Sequence, residues 1–346
     1  MTQKSRNTAP FLANRYLRAG ALAVGLGWAS SASAGFQVVA LGVHGGVEEG
    51  NLTSYLLRDE SQKQFLALDA GSVLPGISKA LEKGSFPQVT AANSAPLTPQ
   101  GAVFRNLISG YFISHGHLDH LAGLIISSPQ DSKKTIYGST ETINTLRQYY
   151  FNWKVWPNFS DSGSGQRLGT YRLNAQRFGQ RFSLANVGLN GVIYPLSHGG
   201  VGSSMLLVST AATAQKQESF AFFGDTGADK LEKSQDLNAI WRVLGEEVKQ
   251  HRLKGIIIET SYPNGIPDKQ LFGHLTPTLL LGELAHLQQY AGGEGSLKGL
   301  KVVISHIKPS LTAGADPRAD IIRQLEQGNQ LGVNFIFMQQ GDSQTF

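Results

Sequence analysis

Short apolar runs separated by polar turns dominate this chain, and the spacing of the apolar positions distinguishes strands from helices. Runs of about five Val, Ile, Leu and Phe residues predict buried strands, whereas apolar residues recurring every three or four positions predict helices. Strands are predicted at 36–41, 53–57, 64–68, 192–196, 205–209, 219–223, 255–259, 301–305 and 333–338, and one more strand ends at Ile113. Helices are predicted near 77–83, 121–126, 140–151, 228–251, 276–290 and 317–325. The Pro-rich and Ser-rich segment 84–100 is predicted to be an inserted loop.

The polar turn after the strand that ends at Ile113 has an unusual density of metal-ligand side chains. His115, His117, Asp119 and His120 fall within six consecutive positions, between this strand and a predicted helix. In extended chain His115 and His117 project to one side, and Asp119 and His120 project toward a second point as the backbone curls into the helix. A polar loop that caps the helix is the alternative, but a cap uses one side chain and not four. The turn therefore predicts ligands for two metal ions of the zinc, manganese or iron type.

Three isolated residues of ligand type end other apolar runs. His198 follows 192–197, Asp225 follows 220–224, and His306 follows 302–305. A lone histidine at a strand end is more often structural, and a lone Gly-Asp pair is more often a turn. Because strands that converge on one edge would bring these residues together with the histidine turn, their joint occurrence predicts a shared site.

With these residues the chain resembles the metallo-β-lactamase superfamily, and residues 115–129 resemble the signature of class II cyclic-nucleotide phosphodiesterases. The resemblance extends to other short segments, namely 44–46, 51–57, 68–71, 151–157, 273–277 and 305–309. It implies an α/β fold, an αββα sandwich of two mixed β-sheets flanked by helices with metals at one edge. The alternation of predicted strands and helices suits this architecture.

The resemblance also implies a ligand set for two divalent ions, expected to be zinc, with manganese or iron as alternatives. One ion would be held by His115, His117 and His198. The other would be held by Asp119, His120 and His306. Asp225 would bridge the two ions and be catalytic, and Asp69 would steady the metal turn from outside, although a plain strand-end Asp is the alternative.

The implied reaction is hydrolysis of 3′,5′-cyclic AMP or cyclic GMP to the 5′-monophosphate, with expulsion of the 3′ oxygen. His274 is expected to be catalytic, as a contact to the phosphate or as a proton donor to that oxygen. The alternative is that His274 only precedes a helix, since Thr276-Pro277 has the form of a helix start. Other hydrolases of this fold, such as a lactonase, β-lactamase, sulfatase or different phosphodiesterase, fit the same ligands, as does a metal-binding protein without turnover.

Aromatic residues cluster at 149–153 and 156–159. They are expected either to stack on a purine base or to belong to the core.

The N-terminal segment has the form of a secretory signal peptide. Four basic residues precede an apolar stretch at 19–28, and Ala32-Ser33-Ala34 is a small-residue cleavage pattern before Gly35. We therefore expect residues 1–34 to be removed and residues 35–346 to form a single catalytic domain, because a cut between His115 and His306 would divide the ligand set. The expected location is the periplasm or the medium, without a membrane anchor after cleavage.

Charge and cysteine content limit the alternatives. The formal charge is +5 for the whole chain, and it falls to about +1 once the four basic residues of the signal are removed. No run of Lys or Arg is suited to a nucleic-acid polymer, so the expected partner is a small cyclic nucleotide. The chain contains 0 cysteines, which excludes thiolate zinc sites and a lipoprotein anchor. The oligomeric state stays open.

Overall fold

The computed structural model describes residues 35–211 and 217–346, so the predicted signal peptide lies outside the described part of the chain. The strands are β1 (Phe36–Gly42), β2 (Ser54–Asp59), β3 (Phe65–Leu68), β4 (Ile108–Phe112), β5 (Lys134–Ser139), β6 (Tyr171–Gln176), β7 (Arg181–Leu184), β8 (Leu189–His198), β9 (Val201–Thr210), β10 (Ser219–Phe223), β11 (Leu253–Glu259), β12 (Lys301–Ser305), β13 (Asn334–Ile336) and β14 (Ser343–Thr345). The α-helices are α1 (Leu74–Glu82), α2 (Ala91–Ser94), α3 (Pro99–Ala102), α4 (Ala122–Ser127), α5 (Thr140–Thr145), α6 (Asp229–Glu232), α7 (Asp236–Lys249), α8 (Pro277–Tyr290) and α9 (Pro317–Gly328). Within these ranges no helix combines the length and the hydrophobicity needed to span a membrane.

The strands form two sheets of the same size. The first has the order β14-β1-β2-β3-β4-β5-β6 and the second the order β13-β12-β11-β10-β9-β8-β7. In the first sheet β3, β4, β5 and β6 pair in parallel and the other pairs are antiparallel. In the second sheet β10 to β13 pair in parallel, and β7 to β10 pair antiparallel. Both sheets are therefore mixed.

Alternating side chains of the strands build three apolar layers. On β1, Val38 and Ala40 point into the layer between the sheets, whereas Val39 and Leu41 pack in the layer that contains α1. On β11, Ile257 points between the sheets and Ile256 packs in the layer that contains α7 and α8. Because the side-chain period of a strand is two, near-continuous apolar runs are what strands buried on both faces require. The predicted αββα sandwich is confirmed.

The direction of the strands places several strand ends at one edge. β3 and β4 are parallel, so Asp69 and the histidine turn leave the first sheet at the same edge. β10, β11 and β12 are parallel to each other. β8 runs in the same direction as β10 because each is antiparallel to β9. His198, Asp225 and His306 therefore follow strands that end together.

Some predicted elements differ from the observed ones. The helix predicted at 228–251 is two helices, interrupted at Lys233, whose φ of 55° is left-handed. The carboxylate of Asp229 then accepts from the backbone N–H groups of Leu237 and Asn238 at 3.1 and 2.8 Å, which caps α7. The predicted loop at 84–100 holds α2 and the start of α3, both capped by threonines. β5, β6, β7 and β14 were not predicted, because their sequences are short or largely polar and their pairing partners define them.

Candidate metal centre

The histidine turn lies between β4 and α4, as the sequence predicted. After β4, the chain passes through Ser114 and His115 to His117, whose backbone is extended, and a short 3₁₀ turn covers Leu118–His120. α4 follows at once. Within this turn the ring centres of His117 and His120 lie 4.6 and 4.2 Å from that of His115.

Asp69 fixes this turn from the end of the neighbouring strand β3. Its carboxylate accepts from the backbone N–H and the hydroxyl of Ser114, each at 2.7 Å, and lies 2.7 Å from Nδ1 of His120. Asp69 is fully buried and adopts a left-handed φ of 54°. A carboxylate that binds Nδ1 leaves Nε2 of the imidazole for another partner, which is the arrangement typical of metal-binding histidines.

Four donor atoms form the first group. Nδ1 of His117 lies 3.0 Å from Nε2 of His115 and 3.3 Å from Nε2 of His198. Oδ2 of Asp225 lies 3.9 and 3.7 Å from the same two Nε2 atoms. All four side chains belong to one cluster whose donor atoms lie within 4.8 Å of one another.

The second group shares the Asp225 oxygen with the first. Oδ2 of Asp225 lies 3.2 Å from Nε2 of His120 and 3.1 Å from Nε2 of His306. Asp119 completes the group, with its carboxylate oxygens 3.2 Å from His306 Nε2 and 3.9 Å from His120 Nε2. The structure thus brings all seven residues singled out in the sequence into two groups of four donors.

The donor spacing and one unsatisfied atom fit metal ions. Ligand atoms around a tetrahedral ion with bonds of about 2.0–2.1 Å lie about 3.3 Å apart, close to the separations in both groups. Nε2 of His120 is buried and forms no hydrogen bond in the described part of the chain. A buried polar atom without a hydrogen bond is costly, and a cation shared with the nearby Asp225 oxygen would satisfy it.

The Nδ1 atoms of three further donor histidines are also held by the protein. Nδ1 of His198 donates to the backbone carbonyl of Gly273 at 2.7 Å. Nδ1 of His306 lies 2.9 Å from the hydroxyl of Ser261, and Nδ1 of His115 lies 3.0 Å from the hydroxyl of Ser114. These contacts fix each ring before any ion binds.

A close approach of the backbone covers one side of the second group. A methyl group built on Gly45 would lie 2.2 Å from Cε1 of His306, so only glycine fits at this position. The next residue, Gly46, has a φ of 82° and donates its backbone N–H to Oδ2 of Asp119 at 3.0 Å. The Gly45-Gly46 pair therefore holds two donor residues in place.

Burial and charge set the protonation of the donors. Burial, reinforced by the neighbouring His120, lowers the pKa of His115 well below its ordinary value. Burial also lowers the pKa of His306. The pKa of Asp225 would rise on burial, but the imidazoles of His120 and His306 hold it well below its usual range. Although burial lowers the pKa of His120, the carboxylates of Asp225 and Asp69 outweigh it and raise that pKa well above its ordinary value. Without another cation, His120 is the positive partner of Asp225.

His274 adjoins both groups and faces a second carboxylate. Its Nδ1 lies 2.8 Å from Oε1 of Glu259 and 3.9 Å from Oδ2 of Asp225. Its ring centre lies 4.6 Å from that of His198 and 5.2 Å from that of His306. Burial lowers the pKa of His274, but Glu259 reverses the shift and raises it. His274 precedes α8, as the alternative prediction had it, and it also lies at the centre.

Glu259 is the residue that sequence reasoning missed. It ends β11, is 1% exposed, and also accepts from the hydroxyl of Ser261 at 2.6 Å and from the backbone N–H groups of Thr226 and Leu275 at 2.9 and 3.2 Å. The only signal in the sequence was a carboxylate at the end of the run Ile256-Ile257-Ile258, at the edge where the other donors lie.

The aromatic segments at 149–153 and 156–159 belong largely to the protein interior. Phe151 is fully buried, and Trp156 packs against the same core and donates to the hydroxyl of Ser128 at 3.0 Å. Tyr149 and Trp153 are 63% and 46% exposed. The core interpretation therefore holds for Phe151 and Trp156.

Comparisons with known proteins agree with this architecture. A model of the class II cAMP phosphodiesterase family matches residues 36–341. A probable 3′,5′-cyclic-nucleotide phosphodiesterase of Yersinia pestis is 60% identical over 319 residues, which cover 92% of each chain. A 3′,5′-cyclic-nucleotide phosphodiesterase of Aliivibrio fischeri is 48% identical over 317 residues, 92% of this chain and 94% of that protein. The crystal structure of unliganded yeast PDE1 has a TM-score of 0.79 at 23% identity, over 90% of this chain and 99% of that chain, and shows the same fold. The resemblance seen at residues 115–129 is confirmed, and the chain belongs to the class II cAMP phosphodiesterase family.

Proposed function

We propose that the protein hydrolyses 3′,5′-cyclic nucleotides, cyclic AMP or cyclic GMP, to nucleoside 5′-monophosphates. Support for the substrate class comes from the family and from the names of relatives 60% and 48% identical. The observation that carries the reaction is the position of Asp225, whose Oδ2 lies 3.1 to 3.9 Å from nitrogens of five imidazoles. A carboxylate shared by two donor groups suits a pair of cations, and a pair of cations suits an anionic ester.

The proposed cofactors are two divalent ions, with zinc favoured by the donor set and manganese or iron as alternatives. His115, His117 and His198 would hold one ion. Asp119, His120 and His306 would hold the other. Asp225 would bind both. Imidazole and carboxylate without thiolate are ligands that all three metals accept. Bound ions would supply a water that ionises near neutral pH and a positive field for the phosphate oxygens.

A residue of the chain would protonate the leaving oxygen. Hydrolysis forms a bond from phosphorus to the oxygen of water and breaks the bond from phosphorus to the 3′ oxygen, which must gain a proton. Glu259 binds the Nδ1 proton of His274, so the reactive position of this ring is Nε2. Nε2 forms no hydrogen bond within the described residues. We therefore assign to His274 Nε2 the transfer of a proton to the 3′ oxygen.

The proposed location is the periplasm or the medium. The support is the N-terminal sequence, in which basic residues, an apolar stretch and Ala32-Ser33-Ala34 occur in the order of a secretory signal. Residues 35–346 would then be the mature catalytic domain.

The first prediction concerns the reaction and its metals. Purified protein loaded with zinc should contain two ions per chain and convert cyclic AMP or cyclic GMP to the 5′-monophosphate. In ¹⁸O-labelled water the label should appear on the product phosphate, because water attacks phosphorus. Chelation should abolish turnover, and re-addition of the metal should restore it.

A lactone and a β-lactam serve as control substrates for the same preparation. Hydrolysis of either without turnover of a cyclic nucleotide would refute the proposed function. Full activity with one ion per chain, measured by elemental analysis, would refute the dinuclear centre.

The second prediction concerns the carboxylate that holds the metal turn. Asp69→Asn should weaken metal binding about 10- to 100-fold, because a neutral amide at this point no longer orients His120 as the carboxylate does. The measurement is the chelator concentration that removes half of the metal. Asp59→Asn is the matched control, since Asp59 is also buried in the first sheet, but among the described residues its carboxylate accepts only from the N–H of Ser61. Equal metal retention in the two variants would contradict the role of Asp69.

The third prediction concerns His274. His274→Ala should keep both metal ions and lose about 10²- to 10⁴-fold in kcat for a cyclic nucleotide, the usual effect of removing a positioned proton donor. The loss should shrink for a nitrophenyl phosphodiester, because a nitrophenolate leaves without protonation. His286→Ala, on the exposed face of α8, is the control and should behave as wild type. Loss of metal, or the same loss of rate for both substrates, would show that His274 is not a proton donor.

The fourth prediction concerns export. Protein from the native host should begin at Gly35 and be recovered from the periplasm or the medium, as N-terminal sequencing and fractionation would show. Ala34→Asp should block cleavage and leave a longer, membrane-associated precursor. A wild-type product that begins at Met1 in the membrane fraction would refute the signal assignment.

A further inference from the structure

Lys308 is a cation without a partner at the metal centre. It follows His306 by two residues, beyond the end of β12. Its Nζ forms no hydrogen bond or ion pair with any described residue. Other described lysines also lack a partner, but each of them is exposed to solvent, and Lys308 is half-buried. A half-buried ammonium that binds nothing in the protein is positioned for something else.

The backbone around Lys308 fixes where its side chain begins. Its N–H donates to the carbonyl of Ser261 at 3.1 Å, which ties it to the segment that follows β11. Ile307 forms a bridge with His44, and Pro309 follows Lys308. The Lys308 side chain therefore starts from a fixed point between the His44–Gly46 segment and Ser261.

One close approach places the ammonium group beside the segment that holds Asp119. A methyl group built on Gly46 would lie 3.4 Å from Nζ of Lys308, and Gly46 donates to Asp119 at 3.0 Å. Nζ therefore lies next to the residue that holds Asp119, and its own chain position is two residues from His306.

The net charge of the centre indicates that Lys308 binds an anion. The centre contains four carboxylates, those of Asp69, Asp119, Asp225 and Glu259, and their negative charge would balance two divalent ions. An additional ammonium close to these ions raises the electrostatic free energy of the site unless an anion joins them. A nearby carboxylate would remove this penalty, but within the described residues no carboxylate pairs with Nζ.

We propose that Lys308 binds a non-bridging oxygen of the substrate phosphate and is a substrate-binding residue of this centre. The ammonium supplies a third positive charge on the side of Asp119 and His306, and its three N–H donors match the acceptor oxygens of a phosphodiester. The inference rests on the proposed function, since it assigns the anionic group of that substrate to a residue of this chain.

The test compares Lys308→Met, which keeps the length of the side chain and removes the charge, with Lys308→Arg. Lys298→Met is the matched control, because Lys298 is exposed, unpaired and located before β12, at the opposite end of the strand. Calorimetry measures the dissociation constant of inorganic phosphate for each zinc-loaded variant, and elemental analysis measures the zinc content. Kinetics with a cyclic nucleotide give KM and kcat.

Lys308→Met should bind phosphate about 10- to 100-fold more weakly at unchanged zinc content, the usual effect of a lost charge-assisted hydrogen bond. Lys308→Arg should stay within about threefold of wild type, and Lys298→Met should not differ from it. Unchanged phosphate affinity in Lys308→Met, or an equal loss in Lys298→Met, would overturn the proposal. The phosphate measurement needs no turnover, so an enzyme inactive on cyclic nucleotides would refute the proposed function and leave this test intact.

Discussion

Oδ2 of Asp225 lies 3.1 to 3.9 Å from nitrogens of five imidazoles, and the rest of the site depends on this carboxylate. Asp225 is 2% exposed, and a buried carboxylate is costly unless positive charge compensates it. Among the side chains, His120 supplies that charge, because Asp225 and Asp69 raise its pKa. Two divalent ions would do the same more strongly and would release His120 as a neutral ligand. The same arrangement around Asp225 can therefore hold His120 as the positive partner, or two divalent ions in the proposed catalyst.

Neither sheet supplies a complete donor group. The first sheet provides Asp69 and the histidine turn, and the second provides His198, Asp225 and His306. The centre therefore exists only while the sheets pack face to face. A buried hydrogen bond of 2.8 Å from Tyr55 to Ser305 joins the sheets next to His306. Rings from both sheets interleave behind it, with Phe112 and Phe222 in edge contact at 6.3 Å. Correct placement of the donors therefore requires correct packing of the core between the sheets.

Three charged or titratable residues outside the seven donors have different roles in the site. Glu259 is buried and accepts from Thr226, Ser261, Leu275 and His274, so its charge is fully used in positioning. In the proposed mechanism His274 keeps Nε2 for proton transfer. Lys308 adds a positive charge beside Gly46, and in our proposal this charge binds the substrate phosphate. The site therefore combines a fixed framework with two groups that are free to meet a substrate.

The sequence by itself was enough to predict the seven donor residues, because donor side chains are recognised by residue type and by local spacing. His115, His117, Asp119 and His120 were visible as one turn, and His198, Asp225 and His306 as strand ends, since strands buried on both faces are long apolar runs. Most strands followed from the same runs, and the fold class followed from the family resemblance of the motifs. What needed the tertiary structure were relations between distant segments: the contact of Asp69 with His120, the contact of Glu259 with His274, and the open position of Lys308. Weak strands such as β6 and β14 also appeared only there. Each depends on a partner far away in the chain, and a local pattern carries no information about such a partner.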